Sequence, residues 1–347
     1  MVGISLHLRH HAREKVGDNP DLLLSEASAR IHMNDAAEAA ACLEHASGIA
    51  PDRADISAEL GRAYSVLNRN EEAVAAYERA DSLSGGAGFY RQGYGASLLR
   101  AGQSGRAISV LEEAHLKDPA DQLVLGTLTT ALREAGDPRY KTLVDIDKYV
   151  RTYNVALPAG FGDAEAFNRA LVEELARFHT RKIEPFDQSL RGGSQTTGHL
   201  FRENSRLISL LRGSLSECVA QYIRDLPNDP THPTAQRKSG AFDFVGAWSC
   251  SLNNGGHHIN HVHSQGWISS AYYVQLPGSV ANNTSNRQGW LMLGRSGFDL
   301  NPRDATEAYV QPVVGRLVLF PSFYWHGTIP FTSDEARVTV AFDVVPT

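Results

Sequence analysis

The sequence predicts a multi-domain chain, with an all-α domain of helical repeats followed by a mainly β domain with flanking helices. Three observations predict it. Segments of the first half align on one another at a constant interval, the signature of stacked repeats. After Pro233 the pattern turns to short runs rich in β-branched and aromatic residues, punctuated by Gly, Pro and Asn. A chain of 347 residues suits about two domains, at roughly 150 residues each.

The composition supports folding throughout, with 42% hydrophobic and 21% charged residues and no low-complexity tract. A net charge of -6 without a Lys/Arg-rich run argues against a nucleic-acid or anionic-membrane partner. Cys42, Cys218 and Cys250 are scattered and odd in number, so they read as buried small hydrophobes rather than a disulfide framework or zinc knuckle. The opening MVGISLHLRHHAREK puts His and Arg where a signal peptide needs its apolar core, and no stretch approaches a membrane span. The expectation is a cytoplasmic protein with residues 1–19 as an N-terminal arm.

The repeats come first. AEAAACLEHASGIAP, EEAVAAYERADSLSG and GRAISVLEEAHLKDP align without gaps: Ala39, Ala73 and Ala107 stand 34 apart, as do Leu43, Tyr77 and Leu111, and Ala46, Ala80 and Ala114. Gly61 and Gly95 recur at the same interval in the preceding helix-length segments, so each unit is a helix pair. Small Ala lets antiparallel helices approach, and Leu or Tyr four residues on fills the groove to the next unit. Asn68 with Asn70, and Gly102, mark turns within units; Pro51, Gly85-Gly86 and Pro119 mark turns between them. The pattern resembles the tetratricopeptide repeat over residues 20–137, with ADQLVLGTLTTALREAG as a degenerate last unit. Such a solenoid offers a concave surface to a peptide or partner protein, or serves as a packing or dimerisation module. The histidines here, among them His10, His11, His32, His45 and His115, lack ligand spacing and read as surface or packing residues.

Residues 138–155 read as a linker helix and 156–347 as the second domain. Two helical stretches, DAEAFNRALVEELARFH and SRLISLLRGSLSECVAQYIRDL, flank the polar segment SLRGGSQTTGHLF. The runs GAFDFVGAWSCSL, HINHVH, WISSAYYVQLP, GWLMLG, GRLVLFP and ARVTVAFDVV then predict an antiparallel sandwich or jelly roll, a double-stranded β-helix, with the helices packed on one sheet. On a strand, His261 and His263 of GGHHINHVHSQGW project to one face and form a two-residue chelate. His326 follows another strand as a third ligand, and Arg337, with Thr339 on its face, suggests an anion clamp. Iron(II) accepts imidazoles on one face with positions left open, and Arg pairs bidentately with a carboxylate.

NHVHSQGWISSAYYVQLP, GRLVLFPSFYWHGTIP and ARVTVAFD together resemble the 2-oxoglutarate/iron(II) oxygenase family related to prolyl hydroxylases, over roughly residues 150–347; LRGGSQTTGHLF resembles its leading region. The resemblance implies an enzyme that uses Fe(II), 2-oxoglutarate and O2 and hydroxylates a substrate through a ferryl species. It implies His261, His263 and His326 as metal ligands, Arg337 and Thr339 on the 2-oxoglutarate carboxylate, and Tyr272 or Tyr273 in the same pocket. The superfamily's usual first motif is His-x-Asp or His-x-Glu, and here His263 stands in the carboxylate's place. Three neutral ligands leave the site at +2 rather than +1. Asp243 or Asp343 could supply a carboxylate, and His257 or His258 could replace one of the three; Asn253 and Gln195 stand as further pocket donors.

Two other functions compete. Gly255 before His261-x-His263, and Gly315 before Pro321 and His326, match part of the cupin pattern, whose three-His dioxygenases need no oxo acid. That match fails where Trp267 and Ile268 replace a Glu, and where Phe323 and Pro330 replace the Gly and Asn around His326. The third reading is a non-catalytic adaptor that binds a partner through its repeats. The substrate, whether a peptide or protein side chain or another molecule, depends on loops such as SVANNTSNRQ and SGFDLNPRDATEAY.

Overall fold

The computed structural model describes residues 18–86, 90–180, 188–282, 285–298, 300 and 304–347. Most of the expected N-terminal arm, with His10 and His11, and parts of both candidate substrate loops lie outside the described residues. The chain divides into two compact units between Asp118 and Pro119.

The first unit is a stack of helix pairs: α1 (Pro20–His32) with α2 (Ala36–Ile49), α3 (Ala54–Val66) with α4 (Asn70–Leu83), and α5 (Arg91–Arg100) with α6 (Ser104–Lys117). Ala39, Ala73 and Ala107 are fully buried, as are Leu43 and Leu111. The glycine column has a steric reason. A Cβ on Gly61 would stand 2.7 Å from the Tyr77 ring, and one on Gly95 would stand 2.6 Å from Leu111. Each large side chain of the second helix therefore rests on the bare backbone of the first. The expected turns hold: Asn68 and Gly102 adopt positive φ between paired helices, as do Gly85 and Gly86 between pairs.

The second unit is a jelly roll with flanking helices. It begins with α7 (Gln122–Ala135), whose N-cap Asp121 accepts from the amides of Leu123 and Val124. The sequence assigns this helix to the repeats, whereas its bonds run to the β domain. The Trp325 indole donates to the Gly126 carbonyl at 2.8 Å, and buried Arg133 pairs with buried Asp304 and donates to the Gly294 carbonyl. The expected linker helix over 138–155 is instead two short helices, α8 (Arg139–Leu143) and α9 (Ile146–Tyr149), and strand β1 (Arg151–Asn154). Strand pairing prevails there because β1 docks on the edge of β7 (Arg316–Pro321).

Six antiparallel strands form the larger sheet in the order β1-β7-β4-β9-β3-β2. Here β2 is Leu190–Gln195, within the segment read as polar, β3 is Phe242–His258, β4 is Ile268–Gln275 and β9 is Arg337–Pro346. The smaller sheet joins β6 (Ala308–Val310), β5 (Leu291–Leu293) and β8 (His326–Thr328). Helices α10 (Ala164–Ala176) and α11 (Arg206–Asp225) are the two expected from sequence and pack on the larger sheet, where Tyr272 donates to buried Asn168 of α10 at 2.9 Å. No helix among the described residues is long and apolar enough to cross a membrane.

Candidate metal centre

The segment after β3 does not continue as the regular strand the sequence suggested. His261 instead forms an isolated bridge with His326, donating its amide to the His326 carbonyl at 2.9 Å and accepting in return at 3.0 Å. The His263 amide donates to the Ser322 carbonyl at 3.0 Å. Backbone exchange with β8 and its approach thus replaces strand alternation as the device that brings the three rings together. One ligand atom from each of His261, His263 and His326 lies within 4.8 Å of the others.

The second nitrogen of each ring has a fixed partner. Nδ1 of His261 lies 2.8 Å from the Ile259 carbonyl, that of His326 lies 2.9 Å from the Tyr324 carbonyl, and that of His263 lies 2.6 Å from Asp343 Oδ1. Each partner is an acceptor, so each Nδ1 carries the proton and each Nε2 presents a lone pair inward. His261 and His263 meet Nε2 to Nε2 at 3.1 Å. Burial, and then the neighbouring His263 ring, push the His261 pKa down to about 3, and burial lowers His326 as well. Both rings are therefore neutral at physiological pH, as metal ligation requires. This donor set fits a divalent transition metal with further coordination positions open.

The cluster opens onto a cavity of about 590 Å³. Side chains alternate along β9, so Arg337, Thr339, Ala341 and Asp343 all face it. Arg337 is 2% exposed, its Nε has no hydrogen-bond partner, and it makes no ion pair among the described residues. A buried guanidinium without a counter-ion costs several kcal/mol, at least about the effective penalty per desolvated ion, unless an anion arrives. Its guanidinium carbon lies 5.3 Å from the centroid of the Tyr273 ring.

Neither of the two tyrosines expected in the pocket lines the cavity: Tyr273 is buried beside the Arg337 guanidinium, and Tyr272 points to the helix side of the sheet and Asn168. Period-two alternation allows only one of two neighbours on that face. Gln195 lines the cavity; Asn253 is exposed and outside it. Asp243 is exposed near the start of β3, and Asp343 binds the far nitrogen of His263 rather than taking a ligand position. His257 turns to the Gly255 carbonyl outside the lining, whereas His258 lines the cavity with Nδ1 3.0 Å from Ser189 Oγ. Sequence reading missed Ser189 and Trp248, whose ring centroid is 5.5 Å from that of His263. Both lie in segments quoted from the sequence, SLRGGSQTTGHLF and GAFDFVGAWSCSL, but neither residue type signals a metal pocket by itself.

Residues 246–343 match the family described as "Putative 2OG-Fe(II) oxygenase", and residues 54–85 match the tetratricopeptide repeat. No curated protein matches the sequence. Among solved structures, a prolyl-4-hydroxylase of Pseudomonas putida is similar at 15% identity and TM-score 0.39, covering 59% of this chain and 98% of its own. A viral collagen prolyl hydroxylase from Paramecium Bursaria Chlorella virus-1 is similar at 11% identity and TM-score 0.37, covering 59% and 99%. A thermophilic tetratricopeptide protein of Thermus thermophilus is similar at 14% identity and TM-score 0.35, covering 42% and 84%. The chain carries a domain of the 2OG-Fe(II) oxygenase family behind tetratricopeptide repeats.

Proposed function

We propose that the protein is an iron(II)- and 2-oxoglutarate-dependent dioxygenase that hydroxylates its substrate. His261, His263 and His326 hold the metal, and Arg337 with Thr339 holds the distal carboxylate of 2-oxoglutarate. One observation carries this reading: a single cavity presents three inward Nε2 lone pairs and a buried guanidinium that no anion of the described chain neutralises. When bound, iron(II) would supply the activation of dioxygen coupled to oxidative decarboxylation of the oxo acid, one oxygen atom going to a substrate C–H bond.

The chain's own residues do the rest. Arg337 offers two parallel N–H donors to one carboxylate and so sets the direction of the oxo acid as well as its affinity. The Thr339 hydroxyl, two residues on and on the same face, adds a donor. The buried Tyr273 ring supports the guanidinium by a cation–π contact, its centroid 5.3 Å from the guanidinium carbon. The neutral triad leaves the centre at +2, which strengthens the attraction for a dianionic co-substrate. A reducing, cytoplasmic setting suits both iron(II) and cysteines that form no disulfide with one another.

The decisive experiment is anaerobic titration of the iron(II)-loaded protein with 2-oxoglutarate, following the visible charge-transfer band of a chelated oxo acid. A band that Arg337→Ala weakens is expected. Bound iron without a band favours a cupin-like, oxo-acid-independent dioxygenase, and absence of bound iron favours an adaptor. The repeats favour a peptide or protein side chain as substrate, because such solenoids commonly present concave surfaces to chain segments. A peptide pool should then stimulate 2-oxoglutarate turnover and gain oxygen by mass spectrometry; stimulation by free amino acids alone would refute it.

A further inference from the structure

Asp343 is the last of the four β9 residues that face the cavity, and it stands 80 positions from the histidine it touches. His261 and His326 direct Nδ1 at backbone carbonyls, which are neutral; His263 alone directs it at a carboxylate. We infer that Asp343 is a positioning residue for the metal centre, holding His263 with Nε2 inward and setting a carboxylate on the far side of that imidazole from the metal. This inference rests on the dioxygenase reading.

The surrounding contacts are arranged around that carboxylate. Asp343 Oδ1 also accepts from Ser269 Oγ at 2.6 Å, and Ser269 Oγ lies 2.8 Å from Ser322 Oγ. The Ser322 carbonyl in turn accepts the His263 amide at 3.0 Å, so backbone and ring of His263 are tied into one closed circuit. A Cβ on Gly266 would fall 2.3 Å from Ser322 Oγ and 3.3 Å from Asp343 Cβ, which is why the turn after His263 is bare at this point. The carboxylate is 12% exposed and has no lysine or arginine partner among the described residues. A nearly buried carboxylate calls for a cation, and a metal behind the imidazole provides one. A carboxylate on the far nitrogen makes the imidazole a more basic ligand and orients its ring.

The test is calorimetric titration of the full-length, metal-free protein with Co(II) under anaerobic conditions, with the visible spectrum of the Co(II) form as second readout. Asp343→Asn keeps the side chain's shape and an acceptor oxygen but removes the charge. It should weaken Co(II) binding about 10- to 100-fold, the usual effect of losing an outer-shell partner, and shift the visible bands. Ser269→Ala, which removes a neutral donor to the same oxygen, should weaken binding less and leave the bands in place. Equal affinity and spectrum for wild type and Asp343→Asn would overturn the inference while the dioxygenase reading stands. An equal loss in both variants would overturn it too, by assigning the effect to packing. No Co(II) binding by the wild type would overturn both.

Discussion

Replacing Arg337 by Met separates a residue that serves the fold from one that serves a ligand. The side chain is 2% exposed and ends beside Tyr273 with no counter-ion among the described residues. In the ligand-free protein, an apolar chain of similar length relieves a desolvation penalty; replacing buried ionic groups in this way is neutral or stabilising by about 1–4 kcal/mol. The lost contact with the Tyr273 ring offsets at most about 2 kcal/mol of that. Arg337→Met should therefore unfold in urea at the wild-type midpoint or above. Binding should move the other way. Removing one partner of a buried, hydrogen-bonded charge pair costs about 2–5 kcal/mol. At about 1.4 kcal/mol per decade, 2-oxoglutarate affinity should fall roughly 30- to 4,000-fold. Anaerobic calorimetry of the metal-loaded protein measures the second quantity. A variant that unfolds several kcal/mol earlier yet binds 2-oxoglutarate with unchanged Kd would show that Arg337 is a structural residue and that the clamp lies elsewhere.

Three further outcomes are expected. Asp304→Ala strands buried Arg133 without its carboxylate and should cost the second unit about 3–5 kcal/mol in denaturant unfolding; a loss under 1 kcal/mol would mean that the Gly294 and Ala305 carbonyls suffice for the guanidinium. Gly95→Ala drives a methyl into Leu111 and should destabilise the repeats by about 1–3 kcal/mol, with Co(II) affinity unchanged; wild-type stability would contradict the close packing. His232 is buried, with Nε2 3.1 Å from the Leu143 carbonyl and Nδ1 accepting from the Thr234 amide, so only a neutral ring satisfies both bonds. Burial lowers its pKa in the fold. Below about pH 6.5 the unfolded chain then binds more protons than the folded one, and stability is present above that pH and falls on acidification. His232→Gln should flatten the fall in stability of the metal-free protein between pH 7 and 5.5; an unchanged slope would remove His232 as its source.

Much of the molecule is legible before folding because its determinants are periodic and local. The spacing of Ala39, Ala73 and Ala107 prescribes helix pairs, since one repeat cannot bury its apolar face without the next. Alternation from Arg337 onward likewise puts Thr339 on its face, and the same count reaches Asp343, which the sequence offered only as a conceivable ligand. Local rules failed where a partner outside the segment decided the outcome. Residues 151–154 form a strand because β7 has an open edge there, and Gln122–Ala135 joins the β domain because Trp325 and Asp304 reach it.

The sequence by itself thus determined the two architectures, and singled out His261, His263 and His326 as candidate ligands and Arg337 as a candidate anion clamp, because repeat period, strand texture and residue type are local properties. Only the tertiary structure decided that His261 meets His326 through a backbone bridge, that Tyr273 rather than Tyr272 lies beside Arg337, and that Asp343 bonds the far nitrogen of His263. Those contacts join residues up to 80 positions apart, and at that separation it is strand register and the mutual satisfaction of buried polar groups, not local propensity, that selects the partner.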